Sequence, residues 1–188
     1  LPLAGADKDK PAAGREAAVK AYAEGRYADA VRLFAAELAK EEAKPKPDWE
    51  WLSYYNTNLG LAHDGAGQYD KALEFYNKAL AIKLVKLGKD HPSVADTYMN
   101  IGLVHRDKGE YDKALEFYNK ALAINLVKLG KDHPSVAATY NNIALTHGAK
   151  KNVIKKKELL AKAYAIQLEK LGKDHPRTKN TKAELFGP

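Results

Sequence analysis

The stretch Tyr69–Ala95, YDKALEFYNKALAIKLVKLGKDHPSVA, returns as Tyr111–Ala137 with a single change, Lys83 to Asn125. The offset is 42 residues, and it recurs along the chain. Asp-His-Pro triplets begin at Asp90, Asp132 and Asp174, and Gly25, Gly67 and Gly109 keep the same step. A fixed period of this length marks an array of one supersecondary unit. Two nearly identical central copies are flanked by weaker ones.

Inside each copy the apolar spacing is helical. Leu73, Tyr76, Leu80, Leu84 and Leu87 follow one another at steps of three or four and share one face. Ala72 and Ala79 form an adjoining stripe of small residues where helices can approach closely. Pro92, Pro134 and Pro176 mark the first turns of helices, where the missing N–H costs nothing. Gly67 and Gly109 close those helices and open tight turns, while Gly88, Gly130 and Gly172 end the second helix of each pair. The pattern predicts helices over about 14–24, 27–42, 48–65, 69–87, 93–107, 111–129, 135–149 and 153–171, with a short one near 176–185. Residues 1–13 form a leader. Residues 14–188 form one repeat domain with units of about 14–47, 48–92, 93–134 and 135–176, then the final helix. An amphipathic hairpin cannot bury its own face, so an all-α solenoid of stacked helix pairs is expected.

Composition narrows the function. The chain has 188 residues, 45% hydrophobic and 29% charged, and no cysteine, which excludes disulfides and thiolate chemistry. No apolar run reaches the roughly 20 residues of a spanning helix. The net charge of +7 is confined: residues 149–188 hold 11 basic and 4 acidic groups, against 20 of each before them. A protein gripping nucleic acid along its length would spread its charge, so nucleic acid is not the expected partner.

Several residues carry a family resemblance. Gly67-Gln68-Tyr69-Asp70-Lys71-Ala72, Tyr76 and Ala79-Leu80, with Asn58-Leu59-Gly60 before them, resemble the tetratricopeptide repeat. The 42-residue length and the Leu-Gly-Lys-Asp-His-Pro linker resemble its kinesin-light-chain-type branch. The terminal units depart from the pattern. Ala17, Ala18 and Ala21 replace larger residues in the first, and Lys151, Val153 and Lys156 replace Gly, Tyr and Ala in the last. The resemblance implies a right-handed α-solenoid that holds an extended peptide or partner protein segment in a concave groove, without a cofactor. Carried over by position, that groove presents Tyr54, Asn58 and Leu61, then Asp96, Met99, Asn100 and Leu103, then Ala138, Asn141, Asn142 and Leu145. Asn58, Asn100 and Asn142 match the family position whose amide holds a bound backbone. A carboxylate clamp needs lysine or arginine where this chain has Tyr54, Asp96 and Ala138, which speaks against that variant.

Each candidate has a plainer reading beside it. The asparagines serve either a bound backbone or a neighbouring helix. His63, His105 and His147 stand where the family packs an aromatic residue, and like His91, His133 and His175 they recur one repeat apart. Stacked helices lie roughly 8–10 Å apart, too far for ligands that must reach within about 2 Å of one ion. No phosphate loop or nucleophile signature accompanies them, so neither metal nor catalysis is expected. Trp49 and Trp51 either cover the apolar face of helix 27–42 or offer a binding hot spot, and the cover is the simpler role. Lys150, Lys151, Lys155, Lys156 and Lys157 form either a solvated end cap or a patch for an acidic partner. Near-identical units also allow self-association end to end, or a consensus-like array with no evolved ligand.

Overall fold

Nine helices and no strand make up residues 13–187, the residues described in the computed structural model; the leader, apart from Ala13, lies outside them. They are α1 (Ala13–Ala23), α2 (Tyr27–Glu42), α3 (Trp49–Gly65), α4 (Tyr69–Leu87), α5 (Pro92–Asp107), α6 (Tyr111–Leu129), α7 (Pro134–Ala149), α8 (Val153–Leu171) and α9 (Pro176–Phe186). Every boundary falls within a residue or so of the expected one, and in the central copies proline and glycine punctuate the chain at fixed places. The architecture is an all-α helical repeat.

The Asp-His-Pro triplet is a helix start with its own cap. Proline sits at the first position of α5, α7 and α9. The preceding His91, His133 and His175 accept, through Nδ1, the backbone N–H of Ser93, Ser135 and Arg177 at 3.1 Å. An imidazole nitrogen here takes the place usually held by a serine or aspartate oxygen. The turn from α5 to α6 passes through Gly109 at φ 77°. At the equivalent place between α7 and α8 the chain carries Lys151 at φ 62°, the sole non-glycine residue with positive φ among those described.

The chain falls into two compact units, the first reaching Ile82 and the second starting at Lys83, so α4 contributes its last turn to the second. In the first unit, Ala18, Ala21, Ala30, Phe34, Leu38, Tyr55, Leu59 and Ala62 form a continuous core. Trp51 packs on it, stacked on Tyr55 with ring centroids 5.9 Å apart, and the buried Arg15 guanidinium lies 4.1 Å above its ring. Trp49, at the first position of α3, is half-buried. The fully buried seam of α4 is Ala72, Tyr76 and Ala79, while Leu73 and Leu80 are only half-buried. Small residues let the paired helix come close, and the leucines flank that line of contact.

The second unit repeats this arrangement with Ala114, Tyr118 and Ala121 on α6, all fully buried. Ala114 and Tyr118 cluster with Ile143, Ala144, Leu159 and Leu160, while Val136, Ala137, Ala163 and Ile166 form a neighbouring cluster. A methyl group added at Gly102 would lie 2.6 Å from a ring carbon of Tyr118, and one at Gly60 would lie 2.5 Å from a ring carbon of Tyr76. The flanking copies solve the same contact differently. Ala144 faces the repeat position of Leu160, and Ala18 that of Phe34, so glycine accompanies tyrosine and alanine accompanies a side chain without a hydroxyl.

The helix-end histidines are packing residues. His63 stacks on Phe75 and His105 on Phe117, with interplanar angles of 8° and 7°. Their Nδ1 atoms lie 2.7 Å from Gln68 Oε1 and Glu110 Oε2. His147 has Leu159 at the phenylalanine position, and burial together with the nearby Lys150 and Lys155 holds its pKa below the ordinary imidazole value. The unfolded chain therefore takes up this proton at higher pH than the folded one. The stability His147 contributes is complete above about pH 6.5 and is lost as pH falls through the depressed folded value. Denaturant unfolding should show a loss on mild acidification that His147→Gln reduces, and a pH profile unaltered by that substitution would contradict this reading.

Candidate peptide-binding face

The residues expected to line a groove all lie on first helices, α3 in one unit and α5 and α7 in the other. On α3, Tyr54 meets Trp51 and Tyr55 edge-on at 5.6 and 5.5 Å, and burial raises its pKa. Asn58 Nδ2 donates to the Tyr54 carbonyl at 2.8 Å, so its amide donor is engaged within its own helix. Leu61 is half-buried.

On α5, Asp96, Met99, Asn100 and Leu103 follow at helical steps and share one face. Met99 and Leu103 pack against the cluster around Tyr118. Asn100 is half-buried, and its side chain has no hydrogen bond among the described residues. Asp96 is exposed, yet crowding by protein lifts its carboxylate pKa, a rise moderated by Lys83 and His91. Burial depresses the Lys83 pKa, with Asp96 acting against that shift, and Lys83 Nζ donates to Thr97 Oγ1 at 2.8 Å.

On α7 the four expected residues separate into different roles. Asn141 Nδ2 donates to Thr181 Oγ1 on α9 at 2.9 Å, tying the two helices together, while its Oδ1 is buried without a partner among the described residues. Asn142 is half-buried with no side-chain hydrogen bond among those residues. Ala138 is half-buried, and Leu145 is 38% exposed. The face of α5 and α7 thus offers two free amides, Asn100 and Asn142, beside Met99, Leu103 and Leu145. An amide carries both donors and an acceptor, which suits an extended backbone with unpaired groups of both kinds.

The lysine run is partly neutralised. Lys150 pairs with Asp112, Lys155 Nζ lies 2.9 Å from Glu158 Oε2, and Lys156 Nζ lies 2.6 Å from Glu184 Oε2. Lys151 and Lys157 are exposed and have no ion pair among the described residues. Sequence reasoning missed this pairing, since Asp112 and Glu184 are 38 and 28 residues from their partners. It also missed Arg15, which as a charged residue on a short first helix reads as solvated. The histidine caps had a signal: the residue before a first-turn proline occupies the cap position.

Among the described residues no helix is long and apolar enough to cross a membrane, and no group of three potential metal ligands comes together. Residues 12–84 and 93–153 match one form of the tetratricopeptide repeat, and residues 136–177 match a second. No curated protein matches the chain. Among solved structures it is similar to BtubC (BKLC) from P. vanneervenii, with a TM-score of 0.79, 25% identity, and coverage of 89% of this chain and 67% of that one. It is also similar to a putative kinesin light chain with nearly identical TPR-like repeats from Podosopora anserina, with a TM-score of 0.76, 25% identity, and coverage of 92% and 81%. The apo form of RapI shares the fold at a TM-score of 0.75 and 17% identity, with coverage of 91% and 61%. This fold is a typical protein-interaction scaffold and typically has no enzymatic activity. The chain belongs to the tetratricopeptide repeat family and is of its kinesin-light-chain-like type.

Proposed function

We propose that the chain is an adaptor that holds an extended segment of a partner protein along the face of α5 and α7. The observation that supports this is the difference between its asparagines. Asn58 and Asn141 spend their amide donors on the chain itself, whereas Asn100 and Asn142 stand one repeat apart with none. Neighbouring helices about 8–10 Å apart match roughly three residues of an extended strand. The two amides are therefore spaced to grip one backbone at two points. A segment selected from displayed short random peptides should lose about 1–3 kcal/mol of affinity on Asn100→Ala or Asn142→Ala. Thermal stability should change much less. Loss of stability with unchanged affinity would make both residues structural and remove the reading.

The partner is proposed to bring acidic residues towards the C-terminal end. Lys151 supports this, because it occupies a left-handed position that its counterparts Gly25, Gly67 and Gly109 fill without strain. Retaining lysine there costs on the order of 1–2 kcal/mol. Lys151→Gly should stabilise the fold yet slow association with an acidic partner, and the same substitution with Lys157→Gln should flatten its salt dependence. An association rate equal to wild type at low ionic strength would reduce these lysines to a solvated cap.

A further inference from the structure

The two nearly identical copies differ in a correlated way at one junction. The sole change between α4 and α6 is Lys83 against Asn125, and the helices that follow carry Asp96 against Ala138. Lys83 and Asp96 do not form an ion pair. The ammonium group is spent on Thr97 Oγ1 at 2.8 Å, and no cation lies within salt-bridge distance of the Asp96 carboxylate among the described residues. Lys83 acts on Asp96 at longer range and helps to keep it ionised.

Asp96 stands one helical turn before Asn100 on the same face of α5, a spacing that puts their Cβ atoms roughly 5–6 Å apart. Neither side chain makes a hydrogen bond or ion pair among the described residues. Asp96 is exposed, yet protein crowding around its carboxylate raises its pKa. A carboxylate so placed gains from a cation more than one on an open surface does, because less water competes for it.

We infer that Asp96 is a specificity determinant, selecting partner segments that place a lysine or arginine against α5 one turn from the backbone held by Asn100. This rests on the proposed binding of an extended segment along α5 and α7. Asp96 also gives the segment a direction. Ala138 offers no charge at the equivalent place on α7, so the basic side chain belongs at the α5 end. A segment laid in the opposite sense, or shifted by one repeat, would leave its cation facing alanine.

The test is a selection of displayed short random peptides on the wild-type chain, followed by affinity measurements on the selected sequences. Peptides enriched in lysine or arginine at one fixed position are expected, and their affinity should fall about ten- to hundredfold on Asp96→Ala. Replacing that basic residue with glutamate should abolish binding to wild type and restore it to the Asp96→Lys variant. Because Asp96→Ala alone leaves Lys83 without its nearby carboxylate, the double variant Lys83→Asn/Asp96→Ala is measured beside it. That variant recreates the Asn125/Ala138 combination already present in the chain. If peptides bind and depend on Asn100 but show no basic preference, or lose nothing on Asp96→Ala, the inference about Asp96 is overturned while the adaptor reading stands. If no peptide is captured, or capture is indifferent to Asn100→Ala, the adaptor reading fails and takes this inference with it.

Discussion

Tyr118→Ala should destabilise the second unit by about 3–5 kcal/mol, the range for removing a fully buried aromatic ring. Tyr118 has no exposed surface and lies in one cluster with Ala114, Ile143, Ala144, Leu159 and Leu160. These neighbours come from three helices, so collapse around the missing ring would require several packed elements to move together. Interiors at native density resist such movement, and a cavity is the expected result. Denaturant unfolding followed by circular dichroism would measure the loss as a lower midpoint. A change below about 1 kcal/mol would show that the ring is not the centre of this core.

Gly102→Ala is the second large effect, and it tests the pairing of glycine with tyrosine directly. The new methyl group would sit 2.6 Å from a ring carbon of Tyr118, and a fully buried ring cannot swing aside. Overpacking of this kind costs about 1–3 kcal/mol, against a gain of roughly 1 kcal/mol from replacing glycine inside a helix. The net should still be a loss. In a Tyr118→Leu background the sign should reverse, because Ala144 with Leu160 is that combination one repeat later. A double-mutant cycle on these two positions should therefore show a coupling of at least about 1 kcal/mol. Additive effects would mean that the close approach is relieved by backbone movement.

The helices were legible in Tyr69–Ala95 because two kinds of signal agree there: a helical apolar spacing, and proline and glycine at positions where only certain backbone angles serve. The same stretch marks Ala72 and Ala79 as a line of close approach, while its apolar spacing puts Leu73 and Leu80 on one face with Tyr76. Leu73 and Leu80 are more hydrophobic than Ala72 and Ala79, yet the alanines are the fully buried pair, since distance of approach and not hydropathy decides the contact. The candidate residues can be named from the repeat, but their bonding states cannot. Asn58, Asn100 and Asn142 are equivalent in the repeat, and only the fold distinguishes the first, whose donor goes to the Tyr54 carbonyl, from the others. Asn141 likewise turns on Thr181, forty residues away. Long-range pairs of this kind leave no periodic trace, and the same holds for Lys150 with Asp112 and for Arg15 above Trp51.

The side-chain amide resonances of Asn100 and Asn142, followed by nuclear magnetic resonance during titration with a selected peptide, test the central claim most directly. Signal assignment by Asn100→Ala and Asn142→Ala would identify each pair. The account predicts that both pairs shift together and saturate at the affinity measured independently, while the outward-facing Val127 methyls, on a side chain 80% exposed, stay still. Saturating binding that moves the Val127 methyls and leaves both asparagine amides unchanged would contradict it.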